Sequence, residues 1–362
     1  MESSCFSHLA SRREFLAGIS ALMVPGLARS QAAGVRGAFG IAYTSFSIRM
    51  RQARQSQAEG EGPAIPADKF IDLCKSFGGD GCQMEISQLE VADADYLDKI
   101  RKAAEDKAMF LELSVGAAVL QDADALGRVA AIAQGLGVKR IRMAVNGRRY
   151  EEFFDFQKWK EFHDHWQRVF EQAEPQLKQH GLYAGIENHK EWMADELATI
   201  LTKISSPHLG ACVDFGNNLA LLEDSIAVAE KLGPFAVTSH LKDMAVMEHE
   251  EGFLLSEVPL GQGILPLAKI MEILRRSRPD IRFCLEMITR DPLKVPCLTD
   301  QYWASHEKRD AQRIEAFKKS ILSHSLTQPL PKISTMSSQR MLAVEDDNIR
   351  RSVAYSKRTL GL

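Results

Sequence analysis

Eight short apolar runs, each followed by an amphipathic stretch of roughly 10–20 residues, constrain this chain more than any other feature. The runs are Phe39–Ser45, Gly81–Ile86, Met109–Val115, Val138–Val145, Leu182–Asn188, Leu209–Phe215, Phe235–Leu241 and Arg282–Ile288. Between them, Ala67–Phe77, Asp93–Asp106, Ala123–Leu136, Phe156–His180, Asp224–Leu232 and Pro266–Arg276 carry apolar side chains at helical spacing. Gly81, Gly137, Gly181 and Gly233 lie between a helical pattern and the next run, where glycine commonly ends a helix. Strand then helix, repeated eight times, predicts parallel βαβ units. Eight such units in about 250 residues predict a closed (β/α)8 barrel, a TIM barrel, over residues 38–290. An open dinucleotide-binding sheet would need a glycine-rich turn after its first strand. Phe46-Ser47-Ile48-Arg49 stands there instead.

Two segments exceed the minimal barrel. Ser47–Pro63 is polar and is expected as a long loop over the C-terminal mouth, and Met244–Gly263 as a loop before the seventh helix. Residues 291–362 are expected to form a C-terminal helical extension, with helical patterns at His306–His324 and Gln339–Leu360. Leu342, Ile349, Val353 and Leu360 give the last pattern an apolar stripe. It fits packing against the barrel or against a second copy in a homo-oligomer.

The charge balance, 45 Lys+Arg against 48 Asp+Glu, shows no basic excess for nucleic acid or an anionic membrane. No segment is apolar for the roughly 20 residues that a membrane span needs. The six cysteines are widely spaced with no CxxC pair, so buried thiols are expected rather than a disulfide framework or a zinc knuckle. The N-terminus has its own logic. Ser11-Arg12-Arg13-Glu14-Phe15-Leu16 precedes an apolar run that ends at Pro25-Gly26, followed by small residues. It resembles a twin-arginine signal peptide over residues 1–32, with Ala17 where that pattern usually has Lys. The resemblance implies a bacterial protein that meets the twin-arginine translocase and becomes periplasmic or otherwise exported, with no membrane span in the mature chain. Losing residues 1–32 would move the net charge from −3 to −4.

In a barrel of this kind the chemistry sits at the C-terminal ends of the strands. The fifth run ends Glu187-Asn188-His189 and the sixth Asp214-Phe215-Gly216-Asn217. The seventh ends His240-Leu241-Lys242-Asp243 and the eighth Leu285-Glu286. Consecutive strands are neighbours, so Glu187, Asp214, His240 and Glu286 should converge. Three carboxylates crowded together repel without a cation. Three oxygen ligands and one nitrogen suit a single divalent ion: Mn²⁺, Mg²⁺, Co²⁺ or Zn²⁺.

These motifs, with the Gly261-Gln262-Gly263 loop, resemble the metal set of the xylose-isomerase-like TIM barrels. That superfamily holds sugar isomerases and epimerases, inosose dehydratases and apurinic endonucleases. The resemblance implies a metal-dependent isomerase or epimerase acting on a sugar or keto-sugar, with Glu187 and Glu286 taking and returning a proton beside a carbonyl. Asp214 and His240 would then be ligands only. The same enediolate chemistry serves a dehydratase or keto-sugar lyase. A phosphodiesterase of the endonuclease kind would need further histidines. Asn217 stands where many relatives have one, and the second and third runs end near Glu85 and Glu112. A noncatalytic sugar-binding barrel would be expected to lack one of the two glutamates. Strand alternation places His189 on the face of Glu187, and Lys242 on that of His240. Together with Glu85, Asn217, Arg290 and Trp303, they are the expected substrate-binding residues.

Overall fold

The computed structural model describes residues 39–57, 65–89, 93–326 and 329–362; the expected signal at residues 1–32 lies outside them. Eleven strands are described: β1 (Phe39–Ala42), β2 (Gly81–Glu85), β3 (Phe110–Gly116), β4 (Arg140–Ala144), β5 (Tyr183–Glu187), β6 (Leu209–Asp214), β7 (Ala236–Leu241), β8 (Asp243–His249), β9 (Gly252–Val258), β10 (Phe283–Leu285) and β11 (Leu293–Val295). Strands β1–β7 and β10 close into a parallel barrel in the order β1-β10-β7-β6-β5-β4-β3-β2. This is the expected TIM barrel. Its outward phase buries Ile41, Met84, Leu113, Ile186, Val213 and Leu285 under the surrounding helices. The inward phase is polar: Gln83, Glu112, Arg142, Glu187, Asp214, Thr238 and His240 are all buried.

The helices begin where short acidic caps can take their free N–H groups. Asp93, Asp122, Asp155 and Asp224 each accept from backbone amides in the first turn that follows. Gly137 closes its helix in the left-handed region as expected. At the first helix that role falls to Gly78, φ 95°, and not to Gly81, which is already in β2.

Two expected loops are ordered differently. Ser47–Gln57 is a helix. Met244–Gly263 is mostly the β8–β9 hairpin, to which β11 adds antiparallel as a third strand. The turn after this hairpin is organised by one carboxylate. Asp243 accepts N–H bonds from Met244 (2.9 Å) and Leu265 (3.1 Å) on Oδ1, and from Gly261 (2.9 Å) and Gly263 (3.0 Å) on Oδ2. A Cβ at Gly263 would lie 2.2 Å from Asp243 Oδ1, so this approach requires glycine.

The tail packs back on the barrel. Of the expected span His306–His324, the helix covers Ala311–Ser320, with a short turn at Asp300–Trp303 before it. Helix Ser338–Tyr355 lies against helices Ser47–Gln57 and Ala67–Phe77. Its buried Glu345 accepts the Ile48 N–H (2.5 Å) and pairs with Arg49 (2.6 Å). Among the described residues no helix is long and apolar enough to cross a membrane. Cys74, Cys82, Cys212, Cys284 and Cys297 are buried free thiols.

Removing the Asp243 carboxylate leaves four backbone donors short of an acceptor. Asp243→Ala is expected to lower the unfolding free energy by about 3 kcal/mol or more, read from urea denaturation of the full chain. An unchanged transition midpoint would refute that role.

Candidate metal centre and active site

The register of neighbouring strands places the four expected ligands. Asp214 on β6 is level with His240 on β7, and Glu187 on β5 is level with Cys212, two residues below Asp214. Glu286 directly follows β10, which pairs with β7. One donor atom from each of Glu187, Asp214, His240 and Glu286 lies within 4.8 Å of all the others, and all four residues are buried. His240 Nδ1 is 3.6 Å from Glu187 Oε1, 3.7 Å from Asp214 Oδ2 and 3.4 Å from Glu286 Oε2. Metal bonds of about 2.0–2.2 Å to a common centre impose ligand separations of roughly 3–4 Å.

The loops after the strands leave these atoms facing inward. Asp214 Oδ1 accepts the Gly216 (3.0 Å) and Asn217 (2.9 Å) amides, which turns Oδ2 towards the cluster. Asn188 bridges β5 to β6 by bonding both the carbonyl and the N–H of Asp214. Thr44 donates to Glu286 Oε1 (3.0 Å). Asn217 donates to Glu187 Oε1 (2.9 Å), and Arg142 reaches Glu187 Oε2 through Nε (2.6 Å) and Nη2.

Three buried carboxylates survive here because cations face them. Burial alone would raise the Glu187 carboxyl, but Arg142 and then His240 hold it well below the ordinary range. For Glu286 burial is likewise outweighed, by His240 and Lys242. Lys242 Nζ lies 2.7 Å from Asp214 Oδ2 and also pairs with Glu286. Burial would lower His240, yet Glu286, Cys212 and Glu187 push it well above its usual value. The cluster therefore demands positive charge at Nδ1. That atom is buried with no hydrogen-bond partner. An unpartnered imidazole nitrogen that faces three carboxylate oxygens is a hard N/O set that fits a divalent cation, so the quartet could hold the expected metal.

The imidazole is oriented from below. Gln83 Oε1 lies 2.9 Å from His240 Nε2, and Gln83 Nε2 donates to Glu112 Oε2 (3.3 Å), which also accepts from Thr238 (2.7 Å). A carboxylate only accepts, so Glu112 takes the amide N–H and turns the amide oxygen to His240. Nε2 then carries a proton, and Nδ1 faces the carboxylates.

Of the expected substrate residues, the structure brings Asn217 and Lys242 into the cluster. His189 stands beside it with Nδ1 unpartnered, 3.8 Å from Glu191 Oε2; burial and Lys190 lower its pKa to about 3, so the ring is neutral. Glu85, half-buried at the end of β2, is within electrostatic reach of Arg142. Arg290 is held by Glu257 of β9 through Nε (3.0 Å) and Nη2. Trp303 is packed into the tail, its indole N–H bonded to the Cys297 carbonyl (2.8 Å). It borders a separate cavity of about 260 Å³ with Arg149 and His306.

Sequence reasoning missed Arg142, Gln83 and Lys190. Arg142 and Gln83 had one available signal, a polar residue at the inward phase of an apolar run. Lys190 is 2% exposed and donates to Asn217 Oδ1 (3.0 Å). It also missed Glu191, which is fully buried, has neither oxygen hydrogen-bonded, and is pushed well above the ordinary carboxylate range by burial.

The chain belongs to the xylose isomerase-like TIM barrel family, whose model matches residues 71–301. It is similar to the 3-oxo-isoapionate decarboxylase of Pectobacterium atrosepticum, at 25% identity over 226 residues, which is 61% of this chain and 78% of that protein. A solved D-psicose 3-epimerase, in the presence of D-fructose, aligns with a TM-score of 0.56 at 14% identity, over 90% of this chain and 100% of that one. The D-psicose 3-epimerase of Clostridium cellulolyticum H10 with D-tagatose gives 0.55 at 15% identity, over 89% and 99% of the two chains. At these identities the two solved structures share the fold.

Gln83→Leu removes the acceptor that orients His240. It should weaken Mn²⁺ or Co²⁺ binding by roughly 10–100-fold in calorimetric titration while the barrel stays folded. Full-affinity binding would show that the imidazole needs no such support.

Proposed function

We propose that the protein is a divalent-metal-dependent isomerase or epimerase of a sugar or keto-sugar, which moves a proton on the carbon beside a carbonyl through an enediolate. The observation that carries this reading is the convergence of Glu187 and Glu286 with Asp214 and His240 on one buried centre. A divalent cation held there supplies Lewis-acid stabilisation of the negative charge that develops on the carbonyl oxygen and its neighbouring hydroxyl.

The chain's own residues do the rest. Glu187 and Glu286 are both held ionised, the protonation state that a general base needs. Both oxygens of each are held, those of Glu187 by Asn217 and Arg142 and those of Glu286 by Thr44 and Lys242, which fixes the carboxylate planes. One glutamate removes the proton from one face of the sugar carbon and the other returns it to the opposite face. Lys242 lies beside Glu286 and Asp214, where an ammonium stabilises developing oxyanion charge. His189, Glu85 and Asn217 are assigned to sugar hydroxyls and Arg290 to the wall of the mouth, while Trp303, packed into the tail, has no place there. The barrel proper is assigned to residues 38–290, the tail to 291–362, and residues 1–32 to an export signal that delivers the protein to the periplasm.

A second reading, a keto-sugar lyase or dehydratase on the same centre, is favoured by the similarity to a decarboxylase. Losing CO₂ from a 3-oxo acid leaves the same kind of enolate as losing a proton beside the carbonyl.

Incubating the metal-loaded protein with ketoses and aldoses in D₂O should place deuterium on the carbon beside the carbonyl, detected by proton NMR. Glu286→Gln should slow that exchange at least 100-fold, in keeping with general-base catalysis worth about 10²–10⁴. No exchange across the panel by the wild-type protein with metal bound would sink the enolisation mechanism.

A further inference from the structure

Lys190 is the most anomalous cation of the mouth. It follows Glu187 by three residues, and its backbone takes φ 90°, a conformation that side-chain-bearing residues rarely adopt. Its side chain is buried, yet among the described residues no carboxylate pairs with it; its ammonium donates to the neutral Asn217 Oδ1. Of the nearby carboxylates, Asp214 pairs with Lys242 and Glu257 with Arg290, and the adjacent Glu191, whose carboxyl burial pushes well above the ordinary range, forms no ion pair with it. Lys242 Nζ approaches the same Asn217 oxygen, at 3.4 Å. Two buried ammonium groups thus share one uncharged acceptor. The other end of that amide, Asn217 Nδ2, bonds Glu187 Oε1, so the pair sits at the edge of the ligand quartet.

A desolvated cation without a counter-ion is unfavourable by several kcal/mol unless something pairs with it. Surface lysines avoid this by reaching into water, and Lys190 does not.

We propose that Lys190, with Lys242 and Asn217 beside it, is a subsite for the carboxylate of the substrate, so that the substrate is a sugar acid and not a neutral sugar. This inference rests on the reading of the quartet as a sugar-processing centre. Lys190 makes no ion pair of its own among the described residues, and the two oxygens of a carboxylate can bridge two ammonium groups. A phosphate ester offers the same oxyanion chemistry with about −2 charge near pH 7, and its binding relative to the acid is an arm of the test.

The test is calorimetric titration of the Mn²⁺-loaded full chain with matched ketoses: D-fructose, D-fructuronate, 2-keto-D-gluconate and D-fructose 6-phosphate. At least one acid should bind tenfold or more tighter than both the neutral sugar and the phosphate. Lys190→Met should erase that preference with Mn²⁺ affinity retained, and Lys190→Arg should keep part of it. The melting temperature of Lys190→Met, expected no lower than wild type, separates lost recognition from lost folding. The proposal is overturned if no acid outbinds the neutral sugar, if the phosphate binds best, or if the acid preference survives Lys190→Met. Proton exchange in D₂O reports on the parent mechanism separately. Acids bound through Lys190 without exchange would sink enolisation and leave the subsite standing; exchange on neutral sugars without acid preference would do the reverse.

Discussion

Mutual repulsion among Glu187, Asp214 and Glu286 is the constraint around which the barrel interior is arranged. They are drawn together by backbone geometry, because each terminates or follows one of three strands that lie on either side of His240. Ionised carboxylates at this spacing and depth would be strongly unfavourable unless matched by positive charge. The protein brings matching charge from separate parts of the barrel: Arg142 from β4 to Glu187, and Lys242 from just beyond β7 to Asp214 and Glu286. Room is made for the second of these by Gly216, where a Cβ would lie 2.8 Å from the Lys242 Cδ. The layer below is polar for the same reason. Glu112, Gln83 and Thr238 form a satisfied chain that meets His240 from beneath, so the side of the ring that faces the three carboxylates is set by a carboxylate outside the quartet.

The barrel and its quartet were legible because both depend on period and position. Short apolar runs alternating with amphipathic stretches report strands and helices directly, and the chemistry of such a barrel is confined to residues at the ends of those runs. What stayed hidden depends on long-range partners. Arg142 and Gln83 each lie within strands that otherwise pack as apolar runs, and nothing local says that Arg142 will meet Glu187. Ser47–Gln57 lacks an apolar stripe and resembles a solvated loop; its helix is held by Glu345, which caps the Ile48 amide from nearly the other end of the chain. The β8–β9 hairpin was obscured by the charged Glu248–Glu251 turn, and its partner β11 comes only after the last barrel strand.

Lys190 was hidden for another reason. The motif Glu187-Asn188-His189 draws attention to its own polar residues, while a lysine just after it has the default reading of a surface residue. Only the positive φ and the burial together show that the side chain is turned in.

The tail bears on the same centre. Glu345, Asn348 and Ser352 are spaced along one face of helix Ser338–Tyr355. Glu345 holds the start of the helix after β1, Asn348 donates to Thr289 beyond β10 (3.1 Å), and Ser352 accepts from the Leu260 amide after β9 (3.2 Å). One helical face therefore ties three loops at the C-terminal end of the barrel to each other. Two of those loops lead directly from residues of the centre: Thr44 lies three residues before Ser47, and Thr289 three after Glu286. The position of Thr44 against Glu286 is set by β1 and β10, but the chain beyond each is held by the tail. A segment that could be mistaken for an appendage of the barrel thus anchors the loops that leave the strand ends of the proposed chemistry.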